Sequence, residues 1–140
     1  MKLYAGIDAG SVSINGIVID GKGQIVYETP YRRHLGKVET HVATLIRALQ
    51  EQFSPENLCS VAFTGNHGKK LSERLKTLYE FEIISQVLGA IHVQPDVGTV
   101  ISMGGQDTAL AQIEHGARDA STSERHSETV LTDSHECSTY

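Results

Sequence analysis

Two short polar corners in the chain carry residue types suited to binding a phosphorylated ligand. The first follows an apolar run that ends at Asp8, and it continues through Ala9, Gly10 and Ser11 before a second β-rich run begins at Val12. Small residues in such a corner turn backbone N–H groups and hydroxyls outward, which suits a phosphate. Asp8 at the strand end suits a hydrated Mg²⁺, because magnesium keeps its waters and takes few protein carboxylates. An ordinary hairpin with a polar turn is the competing interpretation.

The second corner repeats this composition later in the chain. An apolar run over residues 97–103 stops at Gly104-Gly105-Gln106-Asp107, and a further β-rich run leaves from Ala109. Small residues again stand beside an acid and a hydroxyl. We expect the two corners to face each other as a clamp, with one holding the metal and the other holding the terminal phosphate or a water.

Three β-rich runs position the first corner. They span residues 3–8, 12–20 and 24–29, and the short connections between them predict antiparallel pairing. Pro30 ends the third run, because proline cannot donate to a strand ladder. Residues 31–37 follow as a basic, aromatic segment, which is expected to be a solvated loop rather than a contact surface. Residues 39–53 then place apolar side chains at steps of three and four, which predicts an amphipathic helix.

The chain between this helix and the second corner alternates strand and helix. Residues 58–64 are apolar enough to predict a central strand that is parallel to a neighbour. A loop over 64–69 opens a helix expected to carry Leu71, Leu75 and Leu78. This loop departs from the Walker pattern, because leucine follows Lys70 where that pattern has serine or threonine. A further helix is predicted from Ile83 to about His92. The fold class is therefore α/β, with a mixed sheet flanked by helices.

Composition and charge exclude several classes of protein. The 140 residues suffice for one domain with a short extension, and 39% hydrophobic content indicates a globular chain. The formal charge is −5 and no basic cluster stands out, which argues against nucleic-acid binding. No apolar run approaches the roughly 20 residues of a membrane helix. Because the chain enters a strand directly after Met1, we expect no signal peptide and a cytoplasmic location.

The end of the chain differs in composition from the rest. From Ala117 onward serine, threonine and charged residues dominate without a period of two or 3.6, which predicts a disordered tail. Cys59 lies in the apolar run over 58–64 and is expected to be buried there, whereas Cys137 lies in the tail. Neither cysteine has the CxxC or histidine-paired spacing of a zinc site.

The two corners together give the chain a resemblance to a known family of ATPases. It resembles the superfamily of acetate kinases, sugar kinases, heat-shock chaperones and actin, and within it the activators of 2-hydroxyacyl-CoA dehydratases and related reductases. The resemblance covers about residues 3 to 114. It is carried by four short segments, namely 6–11 (GIDAGS), 63–65 (FTG), 82–83 with 89–90 (EI and GA) and 104–107 (GGQD).

The resemblance implies a fold and a domain organisation. Residues 1–96 would form a ribonuclease H-like first ATPase lobe, as in actin-like ATPases. Residues 97–116 would form the opening hairpin of a truncated second lobe, and residues 117–140 the polar tail. In the activators, ATP hydrolysis drives closure of the lobes and delivery of an electron from an iron–sulfur cluster to the dehydratase.

The resemblance also implies roles for individual residues. The acid matching Asp8 organises Mg²⁺ through water, and the turn with Gly10, Ser11 and Ser13 surrounds the phosphates of ATP. Gly104 and Gly105 would supply a second phosphate contact. Gln106 or Asp107 would orient the attacking water, as in other phosphoryl-transfer sites.

The sequence departs from the family pattern in three places. Asn15 replaces the usual lysine of the first hairpin and so removes a charge that faces phosphate. The cysteine–glycine motif that binds the iron–sulfur cluster is absent, since Cys137 stands in an unrelated context. The resemblance also implies an adenosine-binding half of the second lobe, to which none of these 140 residues is expected to correspond.

These departures leave more than one function open. The chain is expected to be an activator-type ATPase lobe with weak or no turnover, because phosphoryl transfer depends on contacts from both lobes. The alternatives are a non-catalytic nucleotide- or partner-binding module, which could dimerise through an unpaired hairpin edge, and a lobe of a sugar or acetate kinase. The expected ligand is Mg-ATP, and the expected partner is a dehydratase or reductase component.

Overall fold

A computed structural model describes residues 1–104, 108–115 and 127–130. The chain divides into two compact units, Met1–Glu82 and Ile83–Tyr140, and each is described by itself. The predicted domain boundaries at residues 96/97 and 116/117 remain a prediction.

The strands and helices of the first unit are β1 (Leu3–Ala9), β2 (Ser13–Asp20), β3 (Ile25–Glu28), β4 (Arg32–Arg33), α1 (Val38–Phe53), β5 (Leu58–Thr64), α2 (Gly68–Leu75) and β6 (Leu78–Tyr79). The strands form a six-stranded mixed sheet in the order β3-β2-β1-β5-β6, in which β4 also pairs with β2. Strand β2 pairs antiparallel with β1, β3 and β4, whereas β5 runs parallel to both β1 and β6.

The core of this unit lies between one face of the sheet and helix α1. Alternate residues of β1 point into it, because successive side chains of a strand face opposite sides. The helix contributes the apolar stripe expected from its period of three and four. The side chains that form this core are Leu3, Ala5, Ile7 and Ala9 of β1, Ile14 and Val18 of β2, Val38, Val42 and Leu49 of α1, Phe63 of β5 and Leu71 of α2.

Gly16 on β2 lets the helix approach the sheet closely. A Cβ atom at this position would lie 3.1 Å from Leu45 Cδ2 and 3.2 Å from Thr29 Cγ2. The Gly16 N–H also donates to Thr29 Oγ1 at 2.7 Å, which fastens the end of β3 to β2. The three-stranded antiparallel part of the sheet and helix α1 therefore form as predicted.

Three local predictions in this unit are wrong. Leu78 is not helical, because Lys76 adopts a left-handed conformation (φ 54°) that ends α2, and the chain then pairs with β5 as β6. The segment predicted as a loop after Pro30 contains β4. Cys59 is exposed, not buried, although its strand is central in the sheet as predicted.

The second unit packs a helix on a three-stranded antiparallel sheet. Helix α3 (Glu82–Val93) begins at the last residue of the first unit, and strands β7 (Thr99–Met103), β8 (Thr108–His115) and β9 (Ser127–Val130) follow in the order β7-β8-β9. The centre of the core is formed by Val87, Ala111 and Ile113.

Strand β9 falls within residues 117–140, which were predicted as a disordered tail. The rest of that range lies outside the described residues. None of the helices in the described part of the chain is both long and apolar enough to cross a membrane.

Candidate metal and phosphate site

Asp8 lies near the carboxyl end of β1, in the middle of the sheet. The antiparallel ladder places it opposite Asn15 on β2, and the parallel ladder places it opposite Thr64 on β5. Three neighbouring strands therefore bring a carboxylate, an amide and a hydroxyl together at one end of the sheet. Asp8 and Asn15 both belong to the predicted first hairpin, whereas Thr64 comes from a distant segment.

The turn after Asp8 is closed by its own backbone. The Gly10 N–H donates to the Ser13 carbonyl at 3.1 Å, which holds Ser11 and Val12 at the tip. Ser13 Oγ accepts a hydrogen bond from Asn15 Nδ2 at 3.3 Å. Ser11 and Ser13 are half-buried, so the structure places the predicted phosphate-binding residues Gly10, Ser11 and Ser13 in one turn next to Asp8.

Gly65 closes the corner from the side of β5. Its φ is +83°, and a Cβ atom there would lie 2.4 Å from Asp8 Oδ1 and 2.8 Å from the Ala9 carbonyl carbon and oxygen. Only glycine fits such an approach in this backbone conformation. Two residues after Gly65, the His67 N–H donates to the Ala9 carbonyl at 2.9 Å. The start of α2 is thus fixed against the end of β1.

Sequence reasoning did not place Gly65 in the site. Gly65 belongs to the predicted loop over 64–69 and to the segment 63–65 that carries the family resemblance, and neither assigns it a role in the site. The available signal was a glycine that directly follows an apolar strand and precedes a helix, which is typical of close backbone approach.

The Asp8 carboxyl group is held in an environment that opposes its charge. Its Oδ1 atom is buried and has no hydrogen-bond partner, and the same holds for Thr64 Oγ1 nearby on β5. Burial raises the pKa of Asp8 above its usual value, and the negative charge of Glu82 raises it further. A side-chain hydrogen bond from Asn15 acts in the opposite direction. A buried carboxylate oxygen without a partner is costly, and a bound cation would remove that cost.

The donor set at this corner fits a hydrated magnesium ion. Mg²⁺ is usually held by one or two carboxylates and keeps several waters, so the orphaned Asp8 oxygen supplies the contact that it needs. Within the described ranges, no group of three or more His, Cys, Asp or Glu side chains could hold a metal. The site would therefore rest on Asp8, with the remaining positions left to water and phosphate oxygens.

The second predicted corner is described only at its two ends. Gly104 is exposed after β7, and Met103 and Thr108 form the last pair of the β7–β8 ladder. Gly105, Gln106 and Asp107 lie outside the described residues. The predicted clamp between the two corners remains a prediction.

A buried histidine beside the first corner was not foreseen. His34 is 5% exposed, although it lies in a segment predicted to be a solvated loop. Its backbone N–H donates to the Val12 carbonyl at 3.2 Å, and its ring packs edge-on against His67 with centroids 5.8 Å apart. The polar residues around His34 in sequence gave no signal for this burial.

Comparison with known proteins finds a curated relative and similar solved structures. No family model matches the chain. The (R)-2-hydroxyglutaryl-CoA dehydratase activating ATPase of Acidaminococcus fermentans is 28% identical over 122 residues, which cover 83% of this chain and 45% of that protein. The chain thus spans less than half the length of this curated relative.

Solved structures agree with this result. The crystal structure of component A of the same A. fermentans dehydratase superimposes with a TM-score of 0.71 at 25% identity, covering 81% of this chain and 44% of that chain. The activator of the 2-hydroxyisocaproyl-CoA dehydratase from Clostridium difficile, solved with bound ADPNP, gives 0.62 at 20% identity, with 80% and 41% covered. The resemblance to the dehydratase activators and the mixed α/β fold of an actin-like ATPase lobe are confirmed.

Proposed function

We propose that this chain is the N-terminal lobe of an activator-type ATPase, which binds Mg-ATP and acts on a 2-hydroxyacyl-CoA dehydratase or a related reductase. In this proposal Asp8 holds Mg²⁺ through water, and Gly10, Ser11 and Ser13 contact the phosphates. The cytoplasmic location expected from the sequence is part of the same proposal.

One observation carries the nucleotide-binding part of the proposal. The Asp8 Oδ1 atom is buried without a partner at the end of a central strand, and Gly65 is packed so closely that no side chain could fill the space. A stable fold gains nothing from a buried carboxylate oxygen without a partner, whereas a cation and its phosphate ligand would satisfy that oxygen. The relative solved with ADPNP supports a nucleotide as that ligand.

The remaining site residues complete the proposal. Gly104 and Gly105 would provide a second phosphate contact, and Gln106 or Asp107 would orient the attacking water. Mg²⁺, when bound, would neutralise charge on the phosphate oxygens. The chain's own contribution is to fix the phosphates against the backbone of the first corner.

An iron–sulfur cluster is not assigned to the described residues. Cys59 is their one cysteine, it is exposed on β5, and no metal-binding group of side chains is present in the described ranges. The proposed partner is a dehydratase component, because the relatives are activators of dehydratases. No electron-transfer step is assigned to this chain.

A calorimetric titration with Mg-ATP tests the nucleotide-binding proposal. We expect a dissociation constant tighter than about 100 µM, equivalent to roughly −5.5 kcal/mol. Asp8→Asn, which keeps the size of the side chain but removes its charge, should abolish the binding heat. Glu51→Gln on the exposed face of α1 is the matched control and should bind as the wild type does.

Two results would count against this proposal. Absence of binding heat in the wild type would refute the nucleotide site, and so would equal binding by wild type and Asp8→Asn.

Hydrolysis is expected to stay below about 1 s⁻¹, the low end of ordinary enzyme rates, because catalysis also needs contacts from a second lobe.

A non-catalytic role through self-association is a second candidate, favoured by the outer face of the β7–β8 hairpin. Ile101 and Leu110 are paired across the ladder and are 61% and 40% exposed, and Met103 beside them is 83% exposed. Contiguous exposed apolar side chains next to a strand edge favour association. Sedimentation of the purified chain decides it, since a monomer at all concentrations would exclude the homodimer.

A further inference from the structure

Asn15 lies beside two of the predicted site residues at the first corner. It is directly opposite Asp8 in the antiparallel ladder of β1 and β2, so the two side chains share one face of the sheet. Ser13 lies on the same face, because side chains two positions apart on a strand point the same way. Ile14 between them is buried in the core on the other face. Asp8, Ser13 and Asn15 are therefore neighbours on the face turned away from that core.

The side-chain amide of Asn15 contacts both of these residues. Its Nδ2 donates to Ser13 Oγ at 3.3 Å, and a side-chain hydrogen bond joins it to the Asp8 carboxyl group. Because Asp8 Oδ1 has no hydrogen-bond partner, the bond from Asn15 falls on Oδ2. An ionised carboxylate can only accept, whereas an amide nitrogen carries two hydrogens. Asn15 Nδ2 therefore supplies one hydrogen to each partner.

The other oxygen of Asp8 is directed toward the glycines of the corner. A Cβ atom at Gly65 would lie 2.4 Å from Asp8 Oδ1, and a Cβ atom at Gly10 would lie 3.7 Å from it. Oδ1 thus lies close to both the turn after β1 and the loop after β5. The carboxyl group has a defined orientation, with Oδ2 toward Asn15 on β2 and Oδ1 toward the turn that is proposed to bind phosphate.

The contact with Asn15 also determines how the Ser13 hydroxyl can be used. A serine hydroxyl has one hydrogen to donate and two lone pairs to accept with. Since the amide nitrogen of Asn15 only donates, Ser13 Oγ uses a lone pair in this contact and keeps its hydrogen for another acceptor. A phosphate oxygen is such an acceptor, and hydrogen bonds to a charged oxygen are roughly twice as strong as those between neutral groups.

We infer that Asn15 is a positioning residue of the proposed Mg-ATP site. Its amide holds one Asp8 oxygen and the Ser13 hydroxyl oxygen, and so presents the other Asp8 oxygen to hydrated Mg²⁺ and the Ser13 hydrogen to a phosphate oxygen. Asn15 acts through these two residues rather than by touching the ligand. The inference rests on the proposed function. Replacing a group that orients a metal-binding side chain typically costs about 10- to 100-fold in affinity.

Calorimetric titration of the full chain with Mg-ATP tests the inference. Asn15→Leu keeps the approximate size of the side chain but removes both donors, and it should weaken binding at least about tenfold. Asn15→Ser, with a shorter side chain and a single donor, is the second variant and should also weaken binding.

Asn57→Leu is the matched control. Asn57 is likewise half-buried and donates through Nδ2, to the Phe53 carbonyl at 3.1 Å. It lies at the opposite end of β1, where its carbonyl accepts from the Leu3 N–H. Asn57→Leu should lower the thermal stability, because it removes a side-chain hydrogen bond, but it should leave the dissociation constant for Mg-ATP unchanged.

A double-mutant cycle distinguishes positioning from a merely structural role. If Asn15 acts in part through the Ser13 hydroxyl, the loss of affinity caused by Asn15→Leu should be at least about twofold smaller in a Ser13→Ala background than in the wild type. Asn57→Leu should show no such coupling to Ser13→Ala.

Three results would overturn the inference while the proposed function stands. They are equal Mg-ATP binding by wild type and Asn15→Leu, strictly additive effects of Asn15→Leu and Ser13→Ala, and a loss of affinity in Asn57→Leu as large as that in Asn15→Leu. Absence of Mg-ATP binding by the wild type would overturn both the proposed function and this inference.

Discussion

Two aspartates lie beside the turns that flank β2, Asp8 near the end of β1 and Asp20 at the end of β2, and their surroundings are opposite. Asp8 faces the turn that precedes β2, where one oxygen is buried without a partner and the pKa is raised by burial and by Glu82. Asp20 ends β2 in the turn to β3, where its Oδ1 accepts from the Lys22 and Gln24 N–H groups at 2.8 and 2.9 Å. These bonds, the one from Gln24 first, lower the pKa of Asp20.

The difference separates a carboxylate that stabilises the fold from one that the fold merely tolerates. Asp20 satisfies two backbone donors of its own turn, as turn-forming aspartates commonly do. Asp8 satisfies no backbone donor of its turn, and Gly65 lies so close to it that a Cβ atom there would be 2.4 Å from Asp8 Oδ1. A residue kept where it costs stability is typical of a binding or catalytic position.

Gly65→Ala should give the largest effect, because it crowds the Asp8 corner. The new methyl group would overlap Asp8 Oδ1 and the Ala9 carbonyl, and the backbone would remain at φ +83°. Overlap and left-handed strain together should lower the free energy of unfolding by about 3 kcal/mol or more. Urea denaturation measures this loss.

Gly36→Ala is the control for the crowding. Gly36 has nearly the same φ, +79°, but a Cβ atom there would meet nothing within 4 Å. It should cost only the backbone strain, about 1 kcal/mol. Equal losses in the two variants would show that the Asp8 corner is not crowded.

Asp8→Asn should raise stability in the absence of Mg-ATP. Because folding raises the pKa of Asp8, the folded protein retains its proton where the unfolded chain has lost it, so stability falls as pH rises from below 3.8 through the raised pKa. At pH 7 the neutral side chain should therefore add up to about 1 kcal/mol, a value limited by partial solvent access.

Thermal unfolding with and without Mg-ATP completes this experiment. Mg-ATP should stabilise the wild type and leave Asp8→Asn unchanged, since a ligand raises stability only where it binds the folded state. A destabilised Asp8→Asn variant would mean that the carboxylate supports the fold, as Asp20 does.

Asp20→Ala should have the opposite sign and the smallest effect. The lowered pKa means that the stabilisation by Asp20 is present above pH 3.8 and is lost as pH falls through the folded pKa. The variant should therefore be slightly less stable than wild type at pH 7 and no longer different at low pH. Denaturation curves at pH 7 and at decreasing pH below 3.8 give this comparison, and a difference that did not shrink on acidification would contradict it.

Local patterns were enough to predict most of the first unit. The alternation of apolar and polar residues in β1 and β2 is a property of consecutive residues. The same is true of the helical period of α1 and of the polar corner at Asp8. The two-residue strands β4 and β6 were missed because their pairing is decided by β2 and β5 rather than by their own sequence. Lys76 ends α2 early by adopting a left-handed conformation, and a lysine in the sequence gives no signal for that conformation.

The parts of the site that depend on distant segments could not be predicted. The contact of Gly65 with Asp8 follows from the parallel register of β1 and β5, which no local pattern encodes. The burial of His34 depends on its packing against His67, more than thirty positions later. Both belong to segments whose composition is that of ordinary polar loops.

The parallel pairing of β1 with β5 also determines when the Asp8 corner can be completed during synthesis. The hairpin of β1 and β2 can close as soon as both strands have left the ribosome, since their contacts are local. The partner of β1 on its other side arrives about 50 residues later, a delay of roughly 3 to 10 s at ordinary elongation rates. Throughout that interval one edge of β1 has unpaired backbone groups, and Gly65 has not yet closed the corner. The nascent chain is therefore most exposed to wrong strand pairing at the strand that carries Asp8.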